Sequence, residues 1–238
     1  MITNEELEEI FPNPSIREVA FEVRFAPRLR VVPEIWRVQE KLAETYTEVA
    51  EESAPQPDGR ILQVYVFSNP SARRIIKVSQ ENFIVIFNTY GSFEDFKKES
   101  LARVQDFSSQ FEVKTYHRAG LRYVNHIELP AQDGVRLLQR YVNVPVDFSR
   151  FDPKAIDQLL TEFRLRAGQH KITVRGALIQ IPTKAQQLLY ILDLDCYGLG
   201  HFEAGSLSPF LDEFHHHIQI QFLEHITDEY KSIMRRRS

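Results

Sequence analysis

Phe21, Val23 and Phe25 alternate with Glu22 and Arg24, and the same two-residue period returns in Leu192-Asp193-Leu194-Asp195. A period of two places successive side chains on opposite faces, so both segments read as strands with one apolar and one polar face. The first strand spans 16–25. Residues 61–67, 74–79 and 83–89 read as three more, and their connectors, Asn69-Pro70-Ser71 and Gln80-Glu81-Asn82, are as short as antiparallel hairpins require. A long strand over 112–129 stops at Pro130, and Gly120 in its middle marks a bulge or a close backbone approach. Strands over 170–181 and 187–197 follow. With 17 Phe and 9 Tyr against 1 Trp, the chain is suited to a Phe-rich core laid over a sheet.

Between the strands the period changes. A helix-like turn over 5–10 is stopped by Pro12 and Pro14. Pro33 suits the first turn of a helix in which Ile35, Val38, Leu42, Tyr46 and Val49 recur at helical spacing, ending before the loop Ala54-Pro55-Gln56-Pro57-Asp58-Gly59. Ser92 and Asp95 form a cap for a helix with Phe93, Phe96, Leu101, Val104 and Phe107 on its apolar stripe. A short helix is expected over 135–141, another from Asp152-Pro153 to Arg166 with Gly168 as its stop, and a long last one from Ser208-Pro209 to Met234.

The two halves, 15–110 and 111–238, echo one another. Each has an apolar strand ending in Tyr-Gly (Tyr90-Gly91 and Tyr197-Gly198) followed by a capped helix, although Tyr-Gly at a strand end is common by chance. The expectation is therefore an α+β chain: one domain, pseudo-duplicated, with a mostly antiparallel sheet of about seven strands and helices packed on one face. The strands over 112–129 and 187–197 are expected to be central.

Composition narrows the classes of function. With 29 Lys+Arg against 33 Asp+Glu, the net charge of −4 gives no global pull toward nucleic acid or anionic membrane. The single Cys196 excludes an internal disulfide framework and any multi-cysteine zinc site. No apolar run approaches the roughly 18 residues of a membrane span, and the acidic opening MITNEELEEIF is unlike a signal peptide. A cytoplasmic location is expected. No G-x-S-x-G, P-loop or G-x-G-x-x-G is present, which argues against hydrolase, P-loop and dinucleotide chemistry.

Three clusters carry chemistry. His215-His216-His217, with His225 beyond, lie on the last helix, but adjacent residues there point about 100° apart, and no second histidine stands four residues on from His217. A structural or solvated role is the plainer reading, and no metal or other cofactor is expected. The basic tail Lys231 to Arg237 suits a helix C-terminus through the dipole, with a polyanion contact as the other reading. Asp193 and Asp195 share one sheet face about 7 Å apart. Paired acids can serve acid–base or Mg²⁺-dependent chemistry, or act as counter-ions. Arg118, Arg122 and His126 lie on one face of the long strand, Tyr123 and Asn125 on the other, and Glu22 and Arg24 lie on the first strand. Either a salt-bridge lattice or a ligand or partner surface follows. Cys196 falls on the Leu192/Leu194 face, buried.

Four runs, PNPSIREVAFEVRF, YHRAGLRYVNHIELP, LLYILDLDCY and FLDEFHHHIQIQFLEHITDEYKSIM, occur in an order that resembles a sporadically distributed family of uncharacterised bacterial proteins of similar length. The likeness covers nearly the whole chain and is strongest at Gly120-Leu121-Arg122-Tyr123-Val124-Asn125 and Ile226-Thr227-Asp228; the histidine run lies outside it. The resemblance implies no activity. Patchy distribution implies mobile accessory genes, such as phage-defence or toxin–immunity systems.

The leading expectation is thus a non-catalytic interaction or sensor component with no catalytic residues. Its partner or ligand surface is formed by Glu22, Arg24, Arg122, Asn125, Asp193 and Asp195. The partner is another protein, and a homodimer through the C-terminal helix is a second option, since Ile220, Leu223 and Ile233 lie partly off the main stripe. Two alternatives stand beside it: a metal-dependent enzyme acting on nucleotides or nucleic acid through Asp193 and Asp195, and a small-ligand binder with a pocket between sheet and last helix.

Overall fold

Nine strands and six helices make up the described part of the computed structural model, which covers residues 2–56, 58–129, 135–147, 156, 158–180 and 188–236. In chain order they are α1 (Asn4–Glu8), β1 (Ile16–Arg24), α2 (Ile35–Leu42), β2 (Glu48–Pro55), β3 (Ile61–Asn69), β4 (Arg74–Val78), β5 (Asn82–Phe87), α3 (Phe93–Phe111), β6 (Thr115–Leu129), α4 (Val135–Tyr141), β7 (Leu159–Ala167), β8 (His170–Gln180), β9 (Leu188–Glu203), α5 (Ser208–His225) and α6 (Asp228–Arg235). The strands form one sheet in the order β2-β3-β4-β5-β1-β6-β9-β8-β7. The chain is α+β as expected, and β6 and β9 are interior strands.

Two more strands are present than the sequence suggests, and both lie at the ends of that order. Residues 48–55, read above as helix and loop, form β2, paired from Glu48↔Ser68 to Pro55↔Ile61. Every β2 residue except Ala54 is exposed, so there is no buried face for alternation to mark. Residues 159–167, read as the end of a helix, form β7, which pairs with β8 from Leu159↔Leu178 to Ala167↔His170; residues 152–155 lie outside the described residues. Gly168, expected as a helix stop, instead turns the β7–β8 hairpin at φ +61. The last helix is two helices. Thr227 caps α6, its side chain accepting from the Tyr230 N–H. Tyr197-Gly198, expected at a strand end, lies inside β9, which runs on to Glu203.

The chain falls into two compact units. One holds Met1–Arg17, Tyr123–Cys196 and His215–Ser238, the other Glu18–Arg122 and Tyr197–Phe214. In the second unit α3 is anchored by rings. Phe107 meets Phe25, Phe83 and Phe111 at centroid distances of 5.4, 4.8 and 4.9 Å, and Phe96 stands edge-on to Phe87 at 5.0 Å. Ser92 accepts from the Asp95 N–H as the cap. In the first unit α5 packs through His225 stacked on Phe163 at 5.7 Å, and through Tyr123, whose hydroxyl meets His215 Nδ1 at 2.9 Å. Among the described residues no helix is long and apolar enough to cross a membrane.

Candidate functional site

The even-numbered residues of β1 face away from Val19, Phe21 and Val23, which are fully buried. They carry a chain of charges within the second unit. Glu22 accepts from Arg24 Nε at 2.9 Å and also from Arg118 of β6. The Arg118 guanidinium lies 4.7 Å from the Tyr197 ring, a cation–π contact that covers it. Gly120 permits this crowding, because a Cβ there would meet Tyr197 Cβ and Arg118 Nη1 at 3.0 Å. The close approach expected at this glycine is therefore present. Arg122 pairs with Glu18 at 3.5 Å.

A second charged group stands in the first unit. Arg175 of β8 donates from Nε to Glu162 of β7 at 2.8 Å and from Nη1 to Asp193 of β9 at 3.4 Å. Arg164 adds a further bond to Glu162 at 3.2 Å. The hydrogen bond from Arg175 holds the Glu162 carboxyl below its usual range. Burial pulls Arg175 down, but Glu162 and Asp193 more than offset it, so its pKa lies above the ordinary value. Asp195, two residues on, shares the face of Asp193 and is partly buried.

Asn125 belongs to neither charged group. It is only 1% exposed, on the opposite face of β6 from Arg122. Its amide donates to the Leu192 carbonyl at 3.3 Å and accepts from the Ser15 hydroxyl at 3.1 Å. Ser15 in turn accepts the His126 N–H at 2.9 Å through its carbonyl. Asn125 is thus a buried clamp, not part of a partner surface: the alternation that exposes Arg122 turns Asn125 inward. Of the six residues expected together, Glu22, Arg24 and Arg122 lie in one unit and Asn125, Asp193 and Asp195 in the other.

Sequence reasoning overlooked the partners that organise these charges: Glu18 on β1, Glu162 on β7 and Arg175 on β8. The signal for Arg175 was present in Lys171-Thr173-Arg175, which alternates with the buried Ile172 and Val174. Glu162 was lost because its segment read as helix.

Cys196 is fully buried. Histidines 215–217 diverge as helix geometry dictates. His215 meets Tyr123, and His217 lies edge-on to His170 at 6.2 Å. Among the described residues no group of three His, Cys, Asp or Glu side chains could hold a metal ion. A cleft between α2 and α3, lined by Val38, Leu42, Arg103 and Phe107, has a volume of about 20 Å³, the size of a single water. An open groove of about 440 Å³ is lined by Thr3, Glu5, Glu6, Glu9 and Arg235.

No protein-family model matches this chain, and no curated protein and no solved structure matches it significantly.

Proposed function

We propose that this chain is a non-catalytic interaction component that binds an acidic surface of another protein through arginines on the charged side of its strands. The observation that carries this reading is a repeated asymmetry in the ion pairs. In two of them a packed carboxylate holds a more exposed guanidinium: the side chains of Glu22 and Arg24 are 15% and 48% exposed, those of Asp193 and Arg175 are 10% and 40%, whereas Arg118 is as packed as Glu22 and Arg175 is less exposed than Glu162. Arg122 is likewise more exposed than its partner Glu18, although Glu18 is itself only half-buried. A guanidinium held by a fixed carboxylate has already lost much of its rotamer freedom, so it can dock at a lower entropic cost. Arginine is also among the residues that dominate interface energetics.

The sequence resemblance supports the setting, a bacterial accessory system such as phage defence or toxin–immunity, with the protein in the cytoplasm as partner or sensor. The metal-enzyme alternative gains nothing from Asp193, whose carboxylate already has a counter-charge in Arg175.

The test compares wild type with Arg122→Ala and Arg24→Ala, expressed in the native host, by quantitative mass spectrometry of co-purifying proteins. A partner depleted by both variants, with melting temperatures close to wild type, is the expected result. Equal recovery of every co-purifying protein sinks the reading.

A further inference from the structure

We propose that the outer edge of β7 pairs with itself, joining two copies of this chain antiparallel about a two-fold axis at Phe163. β7 ends the strand order, and among the described residues no strand pairs with its outer side. An open edge of nine residues is a template for another strand. This one also displays Leu160, 65% exposed, and Leu165, 37% exposed.

Backbone geometry decides which residues can meet. Ala167 pairs with His170 across Gly168 and Gln169. The positive φ of Gly168 is what a type II′ turn demands at its first central residue. A two-residue turn closes on a hydrogen-bonded pair, so Ala167, Leu165, Phe163 and Thr161 direct their N–H and C=O toward β8. Leu160, Glu162, Arg164 and Arg166 direct theirs outward. In a symmetric antiparallel pairing these four must face each other across the seam.

Side chains then select the register. An axis at Glu162 sets two glutamates against each other, and an axis at Arg164 sets two arginines against each other. An axis at Phe163 sets Glu162 opposite Arg164 of the second copy, twice over. It also lays the stem of Arg166 along exposed Leu160. On the apolar face it brings Phe163 against Phe163 at a non-hydrogen-bonded site, where Cα atoms approach to about 4.5 Å. Thr161 then faces Leu165. The sequence Leu-Thr-Glu-Phe-Arg-Leu-Arg, residues 160–166, is self-complementary about its phenylalanine.

The opposite end of the strand order is built to refuse the same pairing. β2 carries Glu48, Glu51 and Glu52 with no basic residue, and ends at Pro55, which has no N–H. Two copies of β2 would bring six carboxylates to one seam, three from each. One self-complementary edge and one repulsive edge give a closed isologous dimer instead of a growing sheet.

Sedimentation velocity over a concentration series tests this on the full chain. Wild type is expected to sediment as a dimer. Glu162→Arg and Arg164→Glu, each alone, put like charges opposite one another and should weaken dimerisation about tenfold or more. Mixed one to one, the two variants should form a heterodimer, because one copy then presents only positive charge at positions 162 and 164 and the other only negative. That rescue separates a seam effect from a folding defect, and thermal melts of each variant provide the control. A wild type that stays monomeric overturns the proposal. So does growth beyond two, self-association of both variants at wild-type strength, or a mixture that stays monomeric while both variants melt as folded proteins.

Discussion

Glu22 and Arg24 sit two residues apart on one strand and share a hydrogen bond, yet they differ in what they hold. Glu22 is a counter-charge of Arg118, a guanidinium packed under Tyr197. Removing one partner of a packed ion pair strands the other, at a cost of about 3 kcal/mol. Glu22→Ala should therefore lower the urea-unfolding free energy by about that amount, while Arg24→Ala, at the solvent side of the pair, should cost less than about 1 kcal/mol. Equal losses would mean that Arg118 is supported by something other than Glu22. A second residue-level effect concerns pH. Burial pushes the His225 imidazole below its ordinary value of 6.5, against smaller opposing effects of the Gln221 carbonyl and Glu224. The folded state therefore keeps His225 neutral while the unfolded chain takes up a proton. Stability from this group is present above pH 6.5 and is lost as pH falls below it. Chemical denaturation between about pH 7.5 and 5.5 should show this slope, and His225→Phe, which keeps a ring against Phe163, should flatten it. Asn125 was only half legible in the sequence. Its place opposite Arg122 was legible from alternation alone, but its partners, Ser15 and the Leu192 carbonyl, lie 110 and 67 residues away, and no local pattern marks them.

Elements were legible wherever one face is buried. β1, β3, β4, β5, β6, β8 and the start of β9 announce themselves through alternating or continuous apolar residues that end up in the core. β2 does not, because an end strand with little burial has no reason to alternate. β7 does alternate, with Phe163, Leu165 and Ala167 against Glu162, Arg164 and Arg166, but Leu159, Leu160, Phe163 and Arg166 also fall at helical spacing. The break between α5 and α6 is different, since its signal was in plain view. Thr227 followed by Asp228 and Glu229 is an N-cap with acids in the first turn, yet the apolar stripe runs on through it. Thr227 also donates to the Arg140 carbonyl at 2.6 Å, and its N–H donates to the Tyr141 carbonyl at 3.0 Å. One residue therefore fastens α6 to the end of α4. Thr227→Ala should cost about 1–2 kcal/mol in chemical denaturation, and Thr227→Ser should recover most of it. If Ser fares no better than Ala, the methyl group rather than the cap is what matters.

At the scale of the whole molecule, the strand order sets the two ends of the sheet against each other, and amide exchange can read the contrast strand by strand. Interior strands have both edges hydrogen-bonded and should exchange only through large openings, whereas end strands leave alternate N–H groups to solvent. Among the described residues β2 and β7 therefore start alike, each with one bonded edge. They should part company with concentration. If β7 pairs across a two-fold axis, the outward N–H groups of Leu160, Glu162, Arg164 and Arg166 gain acceptors in the dimer. Peptides covering 159–167 should then exchange more slowly as the protein is concentrated, while peptides covering 48–55 should not change. The mixed Glu162→Arg and Arg164→Glu sample should restore the protection that either variant alone loses. A dimer formed instead through α5 and α6 would leave β7 exchange independent of concentration and slow the C-terminal peptides. The charged strand faces predict no such change, because side-chain docking leaves the ladder N–H groups as they were. A concentration-dependent slowing confined to β7 would thus separate self-association at the seam from partner binding at the arginines, two events that a change in mass alone would merge.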